Sequence, residues 1–186
     1  EVHKIGIDYW AENPDDPVEV RMVLNQSLAS SGTAGSIALG AVTLSDTGNL
    51  PPEPDEPEIV DNDFNIRFTN TLPDAINLTQ EGGKDWILFN SVDGKPAYER
   101  KNVEPSIQDF MIFDTEKAPH RVNNSEYNTV YSFTDGTPTP SMKNQKPYLV
   151  VEDVNNGVSF TLPGGDNRHE AKITIGNWNA DMIVEM

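Results

Sequence analysis

The stretch YLVVEDVNNGVSFTLPGGDNRHEAKITI, residues 148–175, holds three short apolar segments separated by two turns. Residues 155–157 and 163–166 are rich in Asn, Gly, Pro and Asp, which favour turns over regular elements. Between these turns the apolar residues occupy alternate positions: Val158, Phe160 and Leu162. Alternation is typical of a strand with one buried face. The stretch therefore predicts consecutive β-strands.

The rest of the chain repeats this pattern and shows no convincing helical stripe. Short apolar segments recur between turns around residues 2–10, 18–24, 37–44, 64–68, 86–89, 107–113 and 130–133. Many short strands with regular turns indicate an all-β antiparallel sandwich, of the jelly-roll or Ig-like kind, with a barrel as second choice. The segments at 2–10 and 18–24 predict a hairpin with a long loop.

The composition excludes several functional classes. Thirteen Lys and Arg face 30 Asp and Glu, giving a net charge of −17 and a pI near 4.3. Such acidity repels phosphate, so we expect no nucleic-acid partner. No apolar run approaches the roughly 20 residues that a membrane helix needs, so we expect no membrane insertion. The chain has no Cys, which excludes disulfides and thiolate chemistry.

A Pro- and Glu-rich segment at residues 50–61 marks the clearest boundary. Repeated proline cannot continue a helix or donate to a sheet, and like charges extend the chain. We therefore divide the sequence into residues 1–49, a linker at 50–61, and a β-sandwich module at 62–186.

A short internal repeat crosses this linker. Residues 172–178 align with residues 4–10, sharing Lys, two Ile and Trp, and residues 182–186 align with residues 18–22. This order predicts that residues 1–49 are the terminal strands of a preceding repeat. An unpaired edge strand exposes apolar surface, so we expect these strands to complete the sheet of 62–186. These strands would complete the sheet either within one chain or by exchange between the two chains of a dimer. The alternative is that residues 1–49 are a partial neighbouring domain.

Residues 77–87, NLTQEGGKDWI, resemble the "NLTxEGTxDW" opening of a β-sandwich module found in secreted bacterial proteins. Residues 131–139 and 176–180 match further parts of that pattern, and the chain departs from it at Gly83 and at residues 88–90. Modules of this kind are often appended to polysaccharide-degrading enzymes and surface proteins. The resemblance implies a secreted or cell-surface bacterial protein.

Sugar-binding modules stack aromatic faces on pyranose rings and bond the hydroxyls with polar groups. Trp86 lies in an apolar run and is expected in the core, whereas other aromatic residues adjoin turns or polar stretches. The candidate ligand-binding residues are Trp10, Trp178, Tyr98 and Tyr127, with Arg100 as a basic neighbour. For the tryptophans, core or rim packing is the competing interpretation.

Clustered carboxylates are the ligands that calcium prefers. The clusters at residues 13–16, 61–63 and 164–167 give five candidate metal ligands: Asp15, Asp16, Asp61, Asp63 and Asp166. None of the clusters has EF-hand spacing, and solvated loops are the competing interpretation. Calcium is the expected cofactor.

These features favour a non-catalytic carbohydrate-binding module of a secreted multimodular bacterial protein, with a polysaccharide or cell-surface glycan as partner. The alternative is a calcium-stiffened structural repeat of a bacterial adhesin or surface protein. We expect no enzyme, because none of the three His lies in a metal-binding motif and no nucleophile elbow or phosphate loop is present.

Overall fold

A computed structural model describes eight parts of the chain: residues 2–11, 17–27, 35–49, 63–69, 72–92, 95–113, 120–123 and 129–186. These residues form strands and one short helix. The elements are β1 (Val2–Ala11), β2 (Val18–Ser27), β3 (Ser36–Asn49), β4 (Asp63–Thr69), β5 (Ala75–Asn77), α1 (Leu78–Glu81), β6 (Asp85–Val92), β7 (Lys95–Lys101), β8 (Gln108–Phe113), β9 (His120–Asn123), β10 (Val130–Phe133), β11 (Gly136–Thr137), β12 (Met142–Gln145), β13 (Pro147–Glu152), β14 (Gly157–Leu162), β15 (Gly165–Trp178) and β16 (Ala180–Glu185).

The described strands form three sheets, and the expected all-β antiparallel fold is confirmed. The main sheet has the order β11-β7-β6-β3-β15-β1-β4, with β13 paired to β3 and β9 paired to β13. The second sheet has the order β16-β2-β14-β8, and the third has the order β12-β10-β5. Pairing is antiparallel except between β5 and β10, which are parallel.

Strands β1 and β2 do not form the expected hairpin. β1 pairs with β15 and β4 in the main sheet, whereas β2 pairs with β14 and β16 in the second sheet. Apolar residues alternate along both strands, and this pattern fits two strands on facing sheets as well as two paired strands. The two strands therefore belong to different sheets.

The main sheet lies between two apolar cores because alternate residues of its strands project to opposite faces. Ile37 and Leu39 of β3 enter the first core, against the second sheet, while Ala38 enters the second core, against the third sheet. The second core contains most of the large buried aromatic side chains: Trp86, Tyr131, Phe133 and Tyr148.

Residues 1–49 supply strands to the centre of this structure. β3 lies between β15 on one edge and β6 and β13 on the other, all from residues 62–186. The two copies of the sequence repeat also pair with each other, β1 with β15 and β2 with β16. The strands of residues 1–49 thus belong to both large sheets.

A bulge in β3 places one glycine against the second core. Ile173 and Ile175 of β15 pair with Val42 and Leu39, so β3 carries one extra residue there. A Cβ atom on Gly40, inside the bulge, would overlap the Tyr131 hydroxyl group.

We predict that Gly40→Ala lowers the free energy of unfolding by about 1–3 kcal/mol, because a packed core resists added volume. Urea denaturation monitored by Trp fluorescence measures this. Gly83→Ala is the matched control, since the nearest heavy atom to its Cβ beyond the neighbouring residues would be the Ser45 hydroxyl oxygen, at an ordinary contact distance of 3.7 Å. Equal stabilities of the two variants would contradict the overlap at Gly40.

Candidate functional site

The Asp-Trp pair of the family-like segment begins β6, and its aspartate is fully buried. The Asp85 carboxylate accepts hydrogen bonds from the backbone N–H groups of Ser106 and Ile107, at 2.8 and 2.9 Å. Arg100 donates to it at 3.1 Å and also donates to the Ile107 carbonyl oxygen. Buried carboxylates need such compensation, because desolvation of an unpaired charge is costly.

This arrangement gives Arg100 a structural position. Its guanidinium group is held between β7 and the segment before β8, rather than directed at a surface ligand. The predicted role of Arg100 in attracting an acidic glycan therefore receives no support from its contacts.

Two separate stretches of the family-like pattern meet at Asp135. Its Oδ1 atom accepts hydrogen bonds from the Trp86 indole N–H at 3.1 Å and from the Thr79 hydroxyl at 2.6 Å. The Lys101 ammonium lies 3.6 Å from Oδ2. The residues that carry the resemblance thus hold α1, β6, β7 and β11 together, and they shape the fold rather than a ligand surface.

The aromatic residues divide into buried and exposed groups. Trp86 is fully buried, as the sequence indicated, and so are Tyr9, Tyr131 and Tyr148. Trp178 is 51% exposed and Tyr98 is 40% exposed. Trp10 lies in β1 but its side chain is outside the described part, and Tyr127 lies outside the described residues altogether.

Trp178 is positioned by a sharp corner between β15 and β16. The single connecting residue, Asn179, has a φ of 47°, in the left-handed region that Asn tolerates better than most residues. Asn177 Nδ2 donates to the Ala180 carbonyl oxygen at 2.8 Å across the corner. The corner fixes the end of β15 and leaves the indole half exposed.

A row of three side chains extends from this tryptophan across the main sheet. Trp178 pairs with Ser36 of β3, and Ser36 pairs with Glu152 of β13. Directly opposed residues project from the same face, so these side chains share the face that carries the third sheet. Neighbouring strands lie about 4.8 Å apart, and the row therefore spans about 10 Å. We call Trp178, Ser36 and Glu152 the Trp178 row.

Tyr98 does not join this row. Its ring packs edge-on against Phe110 of β8, with centroids 5.9 Å apart, and Phe110 in turn stacks on Phe89 of the first core. Strand β7, which carries Tyr98, is separated from β15 by β6 and β3. Trp178 and Tyr98 thus belong to different surfaces.

The candidate metal ligands fall largely outside the described structure. Asp15, Asp16 and Asp61 lie in undescribed segments, and Asp63 and Asp166 lie in strands without described side chains. Among the residues with described positions, no three His, Asp or Glu side chains gather as a metal site would require. The calcium sites stay predictions.

A groove that no sequence pattern indicated opens between the edge strands β4 and β16. It has a volume of about 360 Å³ and is lined in part by Ile5, Phe68 and Met182. Its polar lining includes His3, Asn177 and Asp181, and His3 Nε2 is 3.1 Å from Asn177 Oδ1. These residues come from three separate stretches of the chain, around residues 3–5, 68 and 175–182, and only the tertiary fold brings the stretches together.

Comparison of the chain with protein-family models, curated proteins and solved structures found no match. Among the described residues, no helix has the length and apolar character needed to cross a membrane. The exposed side chains and their neighbours on the sheets are therefore the basis for inferring a function.

One buried titratable group links β15 to the end of β3. His169 is almost fully buried, and its Nδ1 atom lies 2.8 Å from the Asp46 carboxylate. Burial, and secondarily the nearby Lys84 ammonium, lowers the pKa of His169 below its ordinary 6.5, outweighing the effect of Asp46. Burial likewise raises the pKa of the adjacent Tyr9 phenol, with a smaller contribution from Asp46.

A lowered His pKa makes the fold less stable in acid, because the unfolded chain then binds more protons than the native chain. The loss of stability begins as the pH falls through 6.5, the pKa of His169 in the unfolded chain. It is complete below the lower pKa that His169 has in the native chain. We predict that the free energy of unfolding falls between pH about 7.5 and about 5, and that His169→Gln reduces this fall. Urea denaturation at both pH values measures the free energy of unfolding. Equal falls in the unmodified protein and in His169→Gln would contradict the role of His169 in this pH dependence.

Proposed function

We propose that the chain is a non-catalytic carbohydrate-binding module of a secreted or cell-surface protein, with the Trp178 row as its glycan surface. The supporting observation is the half-exposed indole of Trp178 at one end of a row of polar side chains on a sheet face. The bacterial setting and the multimodular parent protein come from the sequence resemblance and belong to the same proposal.

The row combines the two kinds of group that bind sugars. An indole presents a broad apolar face against which the C–H face of a pyranose ring stacks. Gly176, two residues before Trp178 on the same face of β15, adds no side chain beside the indole. The Ser36 hydroxyl group can donate a hydrogen bond to a sugar hydroxyl or accept one from it. The Glu152 carboxylate can accept hydrogen bonds from sugar hydroxyls.

The charge of the molecule favours a neutral glycan. The net charge of −17 repels acidic polysaccharides, and Arg100 is engaged with Asp85. A row of about 10 Å also suits a short oligosaccharide lying across the strands. We therefore expect neutral oligosaccharides to bind in preference to uronic-acid or sulfated ones.

We predict a specific hit for the 186-residue chain on a glycan array, followed by an affinity loss of at least about tenfold for Trp178→Ala, because the stacking surface is removed. Titration calorimetry measures the affinity, and thermal melting should show nearly unchanged stability because the indole is exposed.

Phe68→Ala is the matched control, since Phe68 is also an exposed aromatic residue but lies on the opposite face of the main sheet. It should bind the glycan like the unmodified protein. Equal losses in the two variants, or a strongly lowered melting temperature for Trp178→Ala, would refute the assignment of the Trp178 row.

The second candidate is a calcium-stiffened structural repeat of an adhesin or surface protein. It is supported by the pairing of the two sequence-repeat copies, β1 with β15 and β2 with β16, because tandem repeats bury their apolar faces on neighbouring copies.

For this candidate we predict that calcium at 100 times its dissociation constant stabilises the chain by about 2.7 kcal/mol relative to chelator. Thermal melting with calcium and with chelator measures the effect. Asp15→Asn with Asp16→Asn tests the first cluster, and magnesium is the control ion. Superimposable melting curves under all conditions would remove calcium from the proposal.

A further inference from the structure

The two copies of the repeat are related by an approximate two-fold axis. In the sequence alignment Ile5 is equivalent to Ile173, and these two residues pair with each other across β1 and β15. Arg21 is equivalent to Glu185, and these also pair, across β2 and β16. When equivalent residues face one another at the centre of both strand pairs, the copies are related by a two-fold rotation.

The same symmetry relates β4 to β3. Ile66 of β4 pairs with Ile7, and Leu39 of β3 pairs with Ile175, which is the equivalent of Ile7. Likewise, Phe68 pairs with Ile5, and Val42 pairs with Ile173, which is the equivalent of Ile5. Phe68 is therefore the counterpart of Val42. Strand β4 therefore presents apolar side chains to the first-core side of the main sheet, as β3 does.

The burial of these equivalent residues differs sharply. Leu39 and Val42 are 1% and 0% exposed, whereas Ile66 and Phe68 are 38% and 64% exposed. The second sheet accounts for the difference, because β14 lies beside β2 on one side of the axis and its apolar residues are fully buried: Val158, Phe160 and Leu162. On the other side, no described strand pairs with the outer edge of β16.

Residues at β16 are likewise less buried than their equivalents in β2. Val20 and Met22 of β2 are fully buried, but their equivalents are not: Val184 is partly buried and Met186 is exposed. The groove of about 360 Å³ lies here, between Phe68 of β4 and Met182 of β16. A strand placed as β14 is placed would meet the outer edge of β16, with which none of the described strands pairs, and cover Phe68.

We propose that the outer edge of β16 binds an extended partner polypeptide as an additional antiparallel strand, with alternate apolar side chains covering Phe68 and Ile66. Main-chain hydrogen bonds to a free sheet edge supply affinity in this mode of recognition, and pockets for alternate side chains supply specificity. We call Phe68, Ile66, Met182 and the outer edge of β16 the docking edge.

Charge favours a basic partner. Asp181, which lines the groove, and Glu185 are exposed on β16, with Glu185 also 3.7 Å from the Arg21 guanidinium, and the whole chain carries a charge of −17. Opposite charges on paired strands are favourable and like charges are not. Pairing of β16 with a second copy would bring Asp181 and Glu185 of both copies together, so the partner strand in this proposal carries Lys or Arg at its outward positions.

The test uses the whole 186-residue chain and the synthetic peptide Lys-Val-Lys-Phe-Lys-Leu-Lys, whose apolar residues follow the order in β14. The control peptide Lys-Lys-Val-Phe-Leu-Lys-Lys has the same composition and charge but no alternation. We expect the first peptide to bind at least about tenfold more tightly in titration calorimetry. Hydrogen exchange should show new protection of backbone amides in residues 182–185.

Two variants localise the binding. Phe68→Ser should weaken the alternating peptide at least about tenfold, whereas Met111→Ser, which removes an equally exposed apolar side chain from β8, should leave it unchanged. Trp178→Ala should also leave it unchanged, because Trp178 lies on the opposite face of the main sheet. This separates the docking edge from the Trp178 row.

Four outcomes would overturn the proposal. Equal binding of the two peptides would indicate charge attraction alone. Absence of binding would exclude the docking edge, and so would new amide protection that lies outside β16. Concentration-dependent self-association in sedimentation that Phe68→Ser abolishes would identify a second copy of the chain as the occupant instead.

Discussion

The buried carboxylate of Asp85 is the constraint on which the family-like part of the fold depends. It lies at the first position of β6 and has no exposure, so every hydrogen bond it requires must come from the protein. Its donors are Arg100 and the backbone of residues 106 and 107, which fixes β7 and the start of β8 around β6. Trp86 then reaches Asp135 and fixes the turn before β11. The motif is therefore best understood as the centre of a hydrogen-bonded framework.

The pairing of the two repeat copies accounts for the rest of the architecture. Each copy passes from the main sheet to the second sheet, and the copies pair strand for strand. On one side of the two-fold axis the sandwich continues through β3, β14 and further strands; on the other side the described part ends at β4 and β16. This unequal extension leaves Ile66 and Phe68 exposed on the first-core side of the main sheet, whereas Trp178 is exposed on the opposite face, so the docking edge and the Trp178 row are distinct surfaces.

Much of the fold could be predicted from local pattern. The alternation in Val158, Phe160 and Leu162 gave a strand, and the cluster of residues 155–157 gave the turn before it. The hairpin of β1 with β2 was wrong, because alternation identifies a buried face and not the neighbour that forms the hydrogen bonds. Of the predicted ligand residues, Trp178 is exposed, whereas Arg100 is drawn into the interior by a carboxylate 15 residues away in sequence.

The sequence by itself determined the fold class, the main strands, the burial of Trp86 and the equivalence of the two repeat copies, since these follow from alternation, turn residues and local similarity. Tertiary structure alone decided which strands are neighbours, because hydrogen-bonded pairing joins residues far apart in the chain. Ser36 stands beside Trp178 only through that pairing, and Phe68 and Met182 line one groove only because the two sheets face each other. Surfaces that bind partners are made of such long-range neighbours, so a local pattern indicates their residue types without indicating their grouping.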